Sequence, residues 1–466
     1  MTRSPQLVII GAGPAGLAAT AEAVAHGVRV VLLDDNPAPG GQYFRQAATG
    51  ALREVAGGVL QADGQAAALL GIVEHPHVEY HPESVVFGLF DDGVLAYTQG
   101  GETRELQPDY TIIAAGATER PVPFPGWTLP GVIGAGGALN LLKSQRVLPG
   151  RRILVSANGP LGLLVSATLT RVGANVTEVV EAGRVPWLPW RFPQLLADPS
   201  TLLKGLGYRM TLLRAGAPYR TGQVVIETHG VQRVEEAVVA PINGRGELDR
   251  ARARLIEADT VVTCFGLVPA SEVTRALGCT HIYERETGGW IPIRSMELET
   301  TRANVFSVGD CAGIGGARAA LVEGRLASLV VAGRLGGGGA TDVARVAGRL
   351  RRQLRWLRWF RSALASVLSA PRDFLSLLTD DTVLCRCEEV TVRQVLALLR
   401  QGVVDIETLK TMTRISMGRC QGRNCLPTLA ALIARQTGSD VAEVSLPQSR
   451  PPMRPILIGS LIDRKG

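Results

Sequence analysis

Residues 7–19 read LVIIGAGPAGLAA. The four apolar residues from Leu7 to Ile10 predict a short buried strand, and the alanine-rich run after Pro14 predicts a helix. Between them stand Gly11-Ala12-Gly13-Pro14-Ala15-Gly16. At this spacing Gly11 allows a tight turn and Gly13 lets a pyrophosphate reach the backbone. Gly16 lets the helix pack closely on the strand, and Pro14 and Ala15 open that helix. Its free N–H groups and positive dipole end face the phosphates. The chain then runs through VRVVLLD to Asp34 and Asp35, where a carboxylate can hold a ribose hydroxyl. Strand, glycine turn, helix, strand and acid in that order make a dinucleotide-binding unit.

The plan recurs about 145 residues on, as RRILVS, ANGPLG, LLVSATLTRVG and ANVTEVVE. Here the first glycine position is Ala157, followed by Asn158, Gly159, Pro160, Leu161 and Gly162. Glu181 closes the second strand and suits an unphosphorylated ribose, which argues against NADP. Three occupants remain open: NAD, another adenine nucleotide held structurally, or none.

A chain of 466 residues is too long for one core, so roughly two to four domains are expected. No apolar run reaches the roughly 18 residues of a membrane-spanning helix, and no signal peptide is read at the N-terminus. The expected compartment is the cytoplasm, where paired cysteines serve as metal ligands more often than as disulfides. The net charge of +7 is local. Residues 341–372 hold eight Arg against the single acid Asp342, and the remainder is balanced, which excludes nucleic acid as a partner. In that segment Val343, Val346, Leu350, Leu354, Leu357, Phe360 and Leu364 recur at helical spacing. The expectation is a connecting helix whose arginines are solvated or dock on acidic groups, with peripheral contact at the inner membrane face as the alternative.

Three further stretches select flavin for the first unit. Gly40, Gly41 and Gln42 in NPAPGGQYFR resemble the second phosphate-side loop of FAD proteins. VFSVGDCAG resembles their terminal motif, with Gly309 before the ribityl-binding acid, Asp310. TIIAAGATERP, with Ala115 and Gly116, resembles the strand that crosses between their two nucleotide domains. Together these matches resemble the two-dinucleotide-domain flavoproteins of the glutathione and thioredoxin reductase type. The fold class implied is α/β, with two Rossmann-like domains and a small helical C-terminal Fe–S domain.

That last domain is read from Cys385-Arg-Cys387 and, after 32 residues, Cys420-Gln-Gly-Arg-Asn-Cys425. Four thiolates suit an Fe–S cluster or zinc. The intervening residues read as two short helices that bring the pairs together. The region resembles the bacterioferritin-associated-ferredoxin-like [2Fe–2S] domain, although CQGRNC is longer than its usual CxxC. Arg386, Arg419 and Arg423 would then stand near the cluster. Cys264, Cys279 and Cys311 lack a neighbouring cysteine, so no redox-active dithiol is expected.

GAGPAGLAA, NPAPGGQ, ERPVPFPGW, VGDCAGIGGA and MGRCQGRNC together resemble the α-type subunit of bacterial multi-subunit amino-acid and imino-acid dehydrogenases. That family includes opine oxidases, D-hydroxyproline and L-proline dehydrogenases and hydrogen cyanide synthase. The resemblance implies FAD, a [2Fe–2S] cluster, a β-type partner subunit that oxidises the substrate, and a small ferredoxin-like [2Fe–2S] subunit. The implied layout is 1–125 with 265–335 for FAD, 126–264 for the second nucleotide domain and 336–380 for the Arg-rich linker. The [2Fe–2S] domain follows at 381–440 and an extended tail at 441–466. No catalytic residue is assigned. His26, His75, His77, His81, His229 and His281 are expected in loops or at a helix end, on the surface. Rival functions are an NADH-dependent reductase of an Fe–S partner and a non-catalytic scaffold.

Overall fold

Leu7–Ile10 becomes the middle strand of a five-stranded parallel sheet, with all four residues buried. The computed structural model describes residues 6–48, 64–90, 92–184, 194, 198–337, 340–367, 371 and 373–462. Across the first sheet stand Val305–Ser307, Tyr110–Ile113, Leu7–Ile10, Val30–Leu33 and Val78–His81, with Leu7 opposite Val30 on one side and Tyr110 on the other. Parallel neighbours need crossovers. Pro14–Ala25 supplies one, and the antiparallel sheet Val85–Leu89, Leu95–Gln99 and Glu102–Leu106 is inserted ahead of Tyr110. The late helix Ala317–Arg334 packs on Pro14–Ala25. Gly324 permits the contact, because a Cβ there would lie 2.0 Å from the Ala15 carbonyl oxygen.

The second sheet is also parallel, in the order Tyr219–Thr221, Val176–Glu181, Ile153–Ala157, Thr260–Cys264 and Val132–Gly134. An antiparallel sheet of Gln223–His229, Glu236–Pro241 and Arg254–Glu257 packs beside it. Two strands link the sheets, Ala117–Glu119 outward and Leu267–Pro269 back, and they pair antiparallel with Leu267 opposite Glu119.

The Arg-rich segment forms the helix Ala340–Val367. Ala347, Leu350 and Leu354 are buried in the first domain's core, with Val343, Val346 and Leu357 packed against it. The side chain of Leu364 lies outside the described residues. The acids that receive this helix belong to the same chain. Arg351 pairs with Glu297 and Arg358 with Glu323, each at 3.3 Å, while Arg361 donates to the Glu286 carbonyl at 2.6 Å. Arg349, Arg352, Arg355, Trp356 and Trp359 face outward. Among the described residues no helix is long and apolar enough to cross a membrane.

Between the cysteine pairs lie the helices Val392–Arg400 and Ile406–Thr413. Thr391 and Gln394 form a capping box on the first, and Asp405 caps the second by accepting from the Thr408 N–H at 2.8 Å. Leu384, Val395, Leu409, Leu429 and Ile433 form this module's own core. The tail then returns to the first domain with two short 3-10 turns, Val441–Glu443 and Ile458–Leu461.

Three histidines depart from expectation. His81, His229 and His281 are strand residues rather than loop residues. Each stands at a strand end, where its ring reaches a polar neighbour: Gln99 at 2.9 Å from His81, Glu236 at 3.1 Å from His229, Thr274 at 2.9 Å from His281. The strands Val78–His81 and His281–Glu284 are short and polar, so they lack the apolar alternation that marks a strand in sequence.

Candidate functional site

The first glycine turn is fixed by close backbone approaches. Gly11 has φ +103°, and a Cβ there would meet the Ala114 carbonyl oxygen at 2.5 Å. A Cβ on Gly16 would lie 1.8 Å from the Gly11 carbonyl oxygen, so the helix at Pro14 and Ala15 can only seat a glycine at that point. The second loop closes onto the first. The Gly40 N–H donates to the Ala12 carbonyl at 2.8 Å, and a Cβ on Gly41 would be 2.9 Å from the Gly13 Cα. Gln42 follows, exposed.

Asp34 is buried beside this turn. One oxygen accepts the Ala12 N–H, and the other accepts the Asn36 backbone N–H at 2.7 Å and its amide at 2.9 Å. Burial pushes its pKa up, against the pull of those donors. Asp35 points away and pairs with Arg454 of the tail at 3.1 Å.

Distant sequence converges here too. Gly309 abuts Ala15, since a Cβ on Gly309 would lie 2.9 Å from the Ala15 methyl. Asp310 accepts the N–H groups of Gly315 at 2.9 Å and Gly316 at 3.0 Å, and burial raises its pKa. Ala115 adjoins Gly11, and Gly116, with φ +71°, turns the chain into the crossing strand. Behind the Asp310 turn lies a pair the sequence reading missed. Glu323 accepts the Gly309 N–H at 2.9 Å and pairs with Arg294 at 2.9 Å, both groups nearly buried. A lone Glu inside the apolar run ALVEGRLASLVV was its only signal.

The second turn has a different backbone. Ala157 stays in the strand, and the left-handed conformation passes to Gly159, at φ +114°. The Gly159 N–H donates to Glu181 at 2.9 Å, joined by the Gly183 N–H at 3.2 Å. Burial pushes the Glu181 carboxyl up to about 7. Pro160 opens the following helix and Leu161 packs on the second core. Among the described residues, the buried Asn158 side-chain oxygen has no hydrogen-bond partner.

The four C-terminal cysteines meet as two pairs, Cys385 with Cys425 and Cys387 with Cys420. The Cys425 hydrogen bond holds the Cys385 thiol below the ordinary thiol range, helped by the backbone N–H groups of Ser416, Glu388 and Cys387, while Cys425 is pushed up. Gly418 passes so close that a Cβ would lie 2.3 Å from the Cys387 Cβ. Among the described residues, no three His, Cys, Asp or Glu side chains converge on a point that suits one metal ion. Arg423 is neutralised by Glu272 at 2.5 Å, Arg386 lies 5.9 Å from the Trp127 ring centre, and Arg419 is exposed. The remaining cysteines are each buried and free, with Cys311 packed against the Val308 and Ile113 carbonyls at 3.2 and 3.4 Å.

A cavity of about 280 Å³ joins the module to the crossing strand, and Glu119, Arg120, Trp127, Arg386, Cys420 and Asn424 are among its walls. Glu119 accepts the Gly136 N–H at 2.7 Å, and burial raises its pKa.

Known proteins share this arrangement. The family described as pyridine nucleotide-disulphide oxidoreductase matches residues 5–336, and the sarcosine oxidase A3 domain matches 380–464, module and tail together. An opine oxidase subunit of Agrobacterium tumefaciens is 33% identical over 98% of this chain and 91% of its own length. The hydrogen cyanide synthase subunit HcnB of Pseudomonas aeruginosa is 32% identical over 92% of this chain and 93% of its own. The crystal structure of L-proline dehydrogenase from P. horikoshii shares the fold, with TM-score 0.71 and 21% identity over 98% of this chain and 79% of that one. The pyridine nucleotide-disulphide oxidoreductase family implies FAD binding. The chain therefore belongs to the pyridine nucleotide-disulphide oxidoreductase family and, within it, to the oxidoreductase subunits that include HcnB and its opine oxidase counterparts.

Proposed function

We propose that this chain is the FAD- and [2Fe–2S]-containing electron-transfer subunit of a hetero-oligomeric amino-acid or imino-acid dehydrogenase, of the opine, hydroxyproline or proline type. In this reading a β-type subunit with its own FAD oxidises the substrate, a small ferredoxin-like [2Fe–2S] subunit joins it, and electrons leave to an external acceptor such as a quinone. One observation carries the reading. Cys420 and Glu119 line one cavity, and the Ala117–Glu119 strand begins immediately after Ala115 and Gly116 at the glycine turn. The thiol set and the dinucleotide turn thus stand at the two ends of one short strand.

Within this reading Gly11, Gly13, Pro14, Ala15, Gly16 and Gly41 hold the pyrophosphate, with Gln42 at the loop edge. Asp34 holds the ribose with Asp35 beside it, and Gly309 and Asp310 face the ribityl chain. Four thiols arranged as two pairs match a two-iron cluster, which takes two sulfurs on each iron. N–H groups aimed at Cys385 would steady the charged sulfur. When bound, FAD supplies two-electron chemistry and the cluster single-electron transfer. NAD or another adenine nucleotide is assigned to Gly159, Pro160, Leu161 and Glu181, where among the described residues the Asn158 oxygen has no partner. The crossing strands support domain limits near residues 125 and 265. A cytoplasmic location with peripheral contact at the inner membrane face is supported by the outward Arg349, Arg352, Arg355, Trp356 and Trp359.

The test is iron content and a visible spectrum before and after NADH. About two irons per chain, with broad absorption beneath the flavin bands that NADH leaves unchanged, is the expected result. Bleaching by NADH alone would overturn the reading and make the chain a reductase in its own right.

A further inference from the structure

We infer that the C-terminal strap belongs to the dinucleotide site, with Arg454 as a positioning residue for its adenosine end. The inference rests on reading the Gly11–Gly16 turn as an FAD site.

Two contacts hold the strap where it leaves the cysteine module. The Gln448 N–H donates to Glu407 at 3.2 Å, and the Pro447 carbonyl accepts from Arg275 at 3.3 Å. Met453 then sinks into the core formed by Ile10, Leu33 and Ile113, the strand ends that carry the glycine turn and Asp34. Its N–H donates to the Phe87 carbonyl at 2.8 Å. Past Arg454, the Ser460 carbonyl accepts from Thr103 at 2.6 Å. Anchored on both sides, Arg454 reaches Asp35 at 3.1 Å.

From there a continuous chain of contacts leads to the ribose carboxylate. The Asn36 amide donates to Asp35 at 2.8 Å and to Asp34 at 2.9 Å, while Arg45 holds the Asn36 oxygen at 2.9 Å. One amide therefore bridges two adjacent carboxylates, with Arg45 holding its oxygen and Arg454 holding the outer carboxylate. Without Arg454, Asp35 is an uncompensated charge beside Asp34 and the amide loses one of its fixed partners. A tail that only covered apolar surface would need Met453 but not this ion pair.

The experiment titrates the deflavinated full-length protein with FAD, following quenching of flavin fluorescence. A half-exposed ion pair sets the scale, so Arg454→Ala should weaken FAD binding about fivefold. Arg454→Lys should recover most of that loss. Asp35→Ala combined with Arg454→Ala should weaken binding by less than the product of the single changes. Added salt should weaken the unaltered protein more than Arg454→Ala. The flavin-free melting temperature should match in both, which a purely structural role would not give. Unchanged FAD affinity in Arg454→Ala overturns the inference, as does a loss that follows flavin-free stability and is not restored by Lys. Failure of the unaltered chain to bind FAD would remove the flavin reading and this inference with it. A failure confined to the strap leaves the unaltered affinity intact.

Discussion

A methyl group on Gly11 would need space that the Ala114 carbonyl occupies, at a backbone angle that L-residues avoid. Gly11→Ala should therefore destabilise the first domain by on the order of 3 kcal/mol and abolish flavin retention, checked by thermal melting and bound-flavin absorbance. Gly159→Ala shares the unfavourable angle but meets nothing within 4 Å. Its penalty is the backbone conformation alone, about 1 kcal/mol in the same melting assay. Glu181 gives a pH signature. Its carboxyl ionises near 7 when folded, against an ordinary 4.5, so the folded state binds the extra proton. Stability from this group then falls as pH rises from about 5 to 7, by at most about 3 kcal/mol. Glu181→Gln keeps an acceptor for the Gly159 N–H and cannot ionise. Its melting temperature should match the unaltered protein near pH 5 and exceed it near pH 8.

At the scale of elements, Glu323 shows how one helix is tied to a turn and to a second helix. It receives Arg294 from a loop, the Gly309 N–H from the Asp310 turn and Arg358 from the Arg-rich helix. Arg294 and Glu323 are only 11% and 8% exposed, so Arg294→Ala leaves a buried carboxylate with only the exposed Arg358 and the Gly309 N–H and should lower stability by about 3 kcal/mol. Arg358 is 60% exposed, and its removal should change stability by less than about 1 kcal/mol. Denaturant titration of both variants tests that contrast. The arginines of this segment, residues 341–372, read in sequence as solvated or docked on acidic groups of unnamed origin. Its spacing disclosed the buried stripe at Leu350 and Leu354, but nothing local disclosed Glu297 and Glu323 as receiving acids. Those lie in separate elements, brought to the helix only by packing.

For the whole molecule, the cysteine module docks on both parallel-sheet domains, with a polar contact to each. Trp127 donates to the Val383 carbonyl at 2.7 Å, and Arg423 pairs with the nearly buried Glu272. Arg423→Ala should loosen this docking, seen as faster proteolytic cleavage between residues 336 and 380 with flavin retained. With the proposed cluster in the module, Cys385→Ser should lower iron content without removing flavin, measured by iron analysis beside flavin absorbance, because the module has its own core. The histidines illustrate the opposite limit of inference. His81 and His281 read as loop residues because short strands of mixed polarity leave no period to detect, whereas His229 is the last residue of a seven-residue strand and falls just past its apolar run; sheet pairing identifies all three.

The amino-acid sequence by itself determined both parallel domains, the glycine turn, Asp34, Asp310, the paired cysteines and the helices between them. Each is encoded by local conditions: an apolar run, a glycine where only glycine can turn, an acid at a strand end, a capping residue. Only the tertiary structure decided the Glu323–Arg294 pair, the shift of the left-handed residue from Ala157 to Gly159, the cavity between Glu119 and Cys420, and the path of the tail to Asp35. Those features depend on which surfaces meet after collapse, and residues hundreds apart in the chain carry no local mark of their partners.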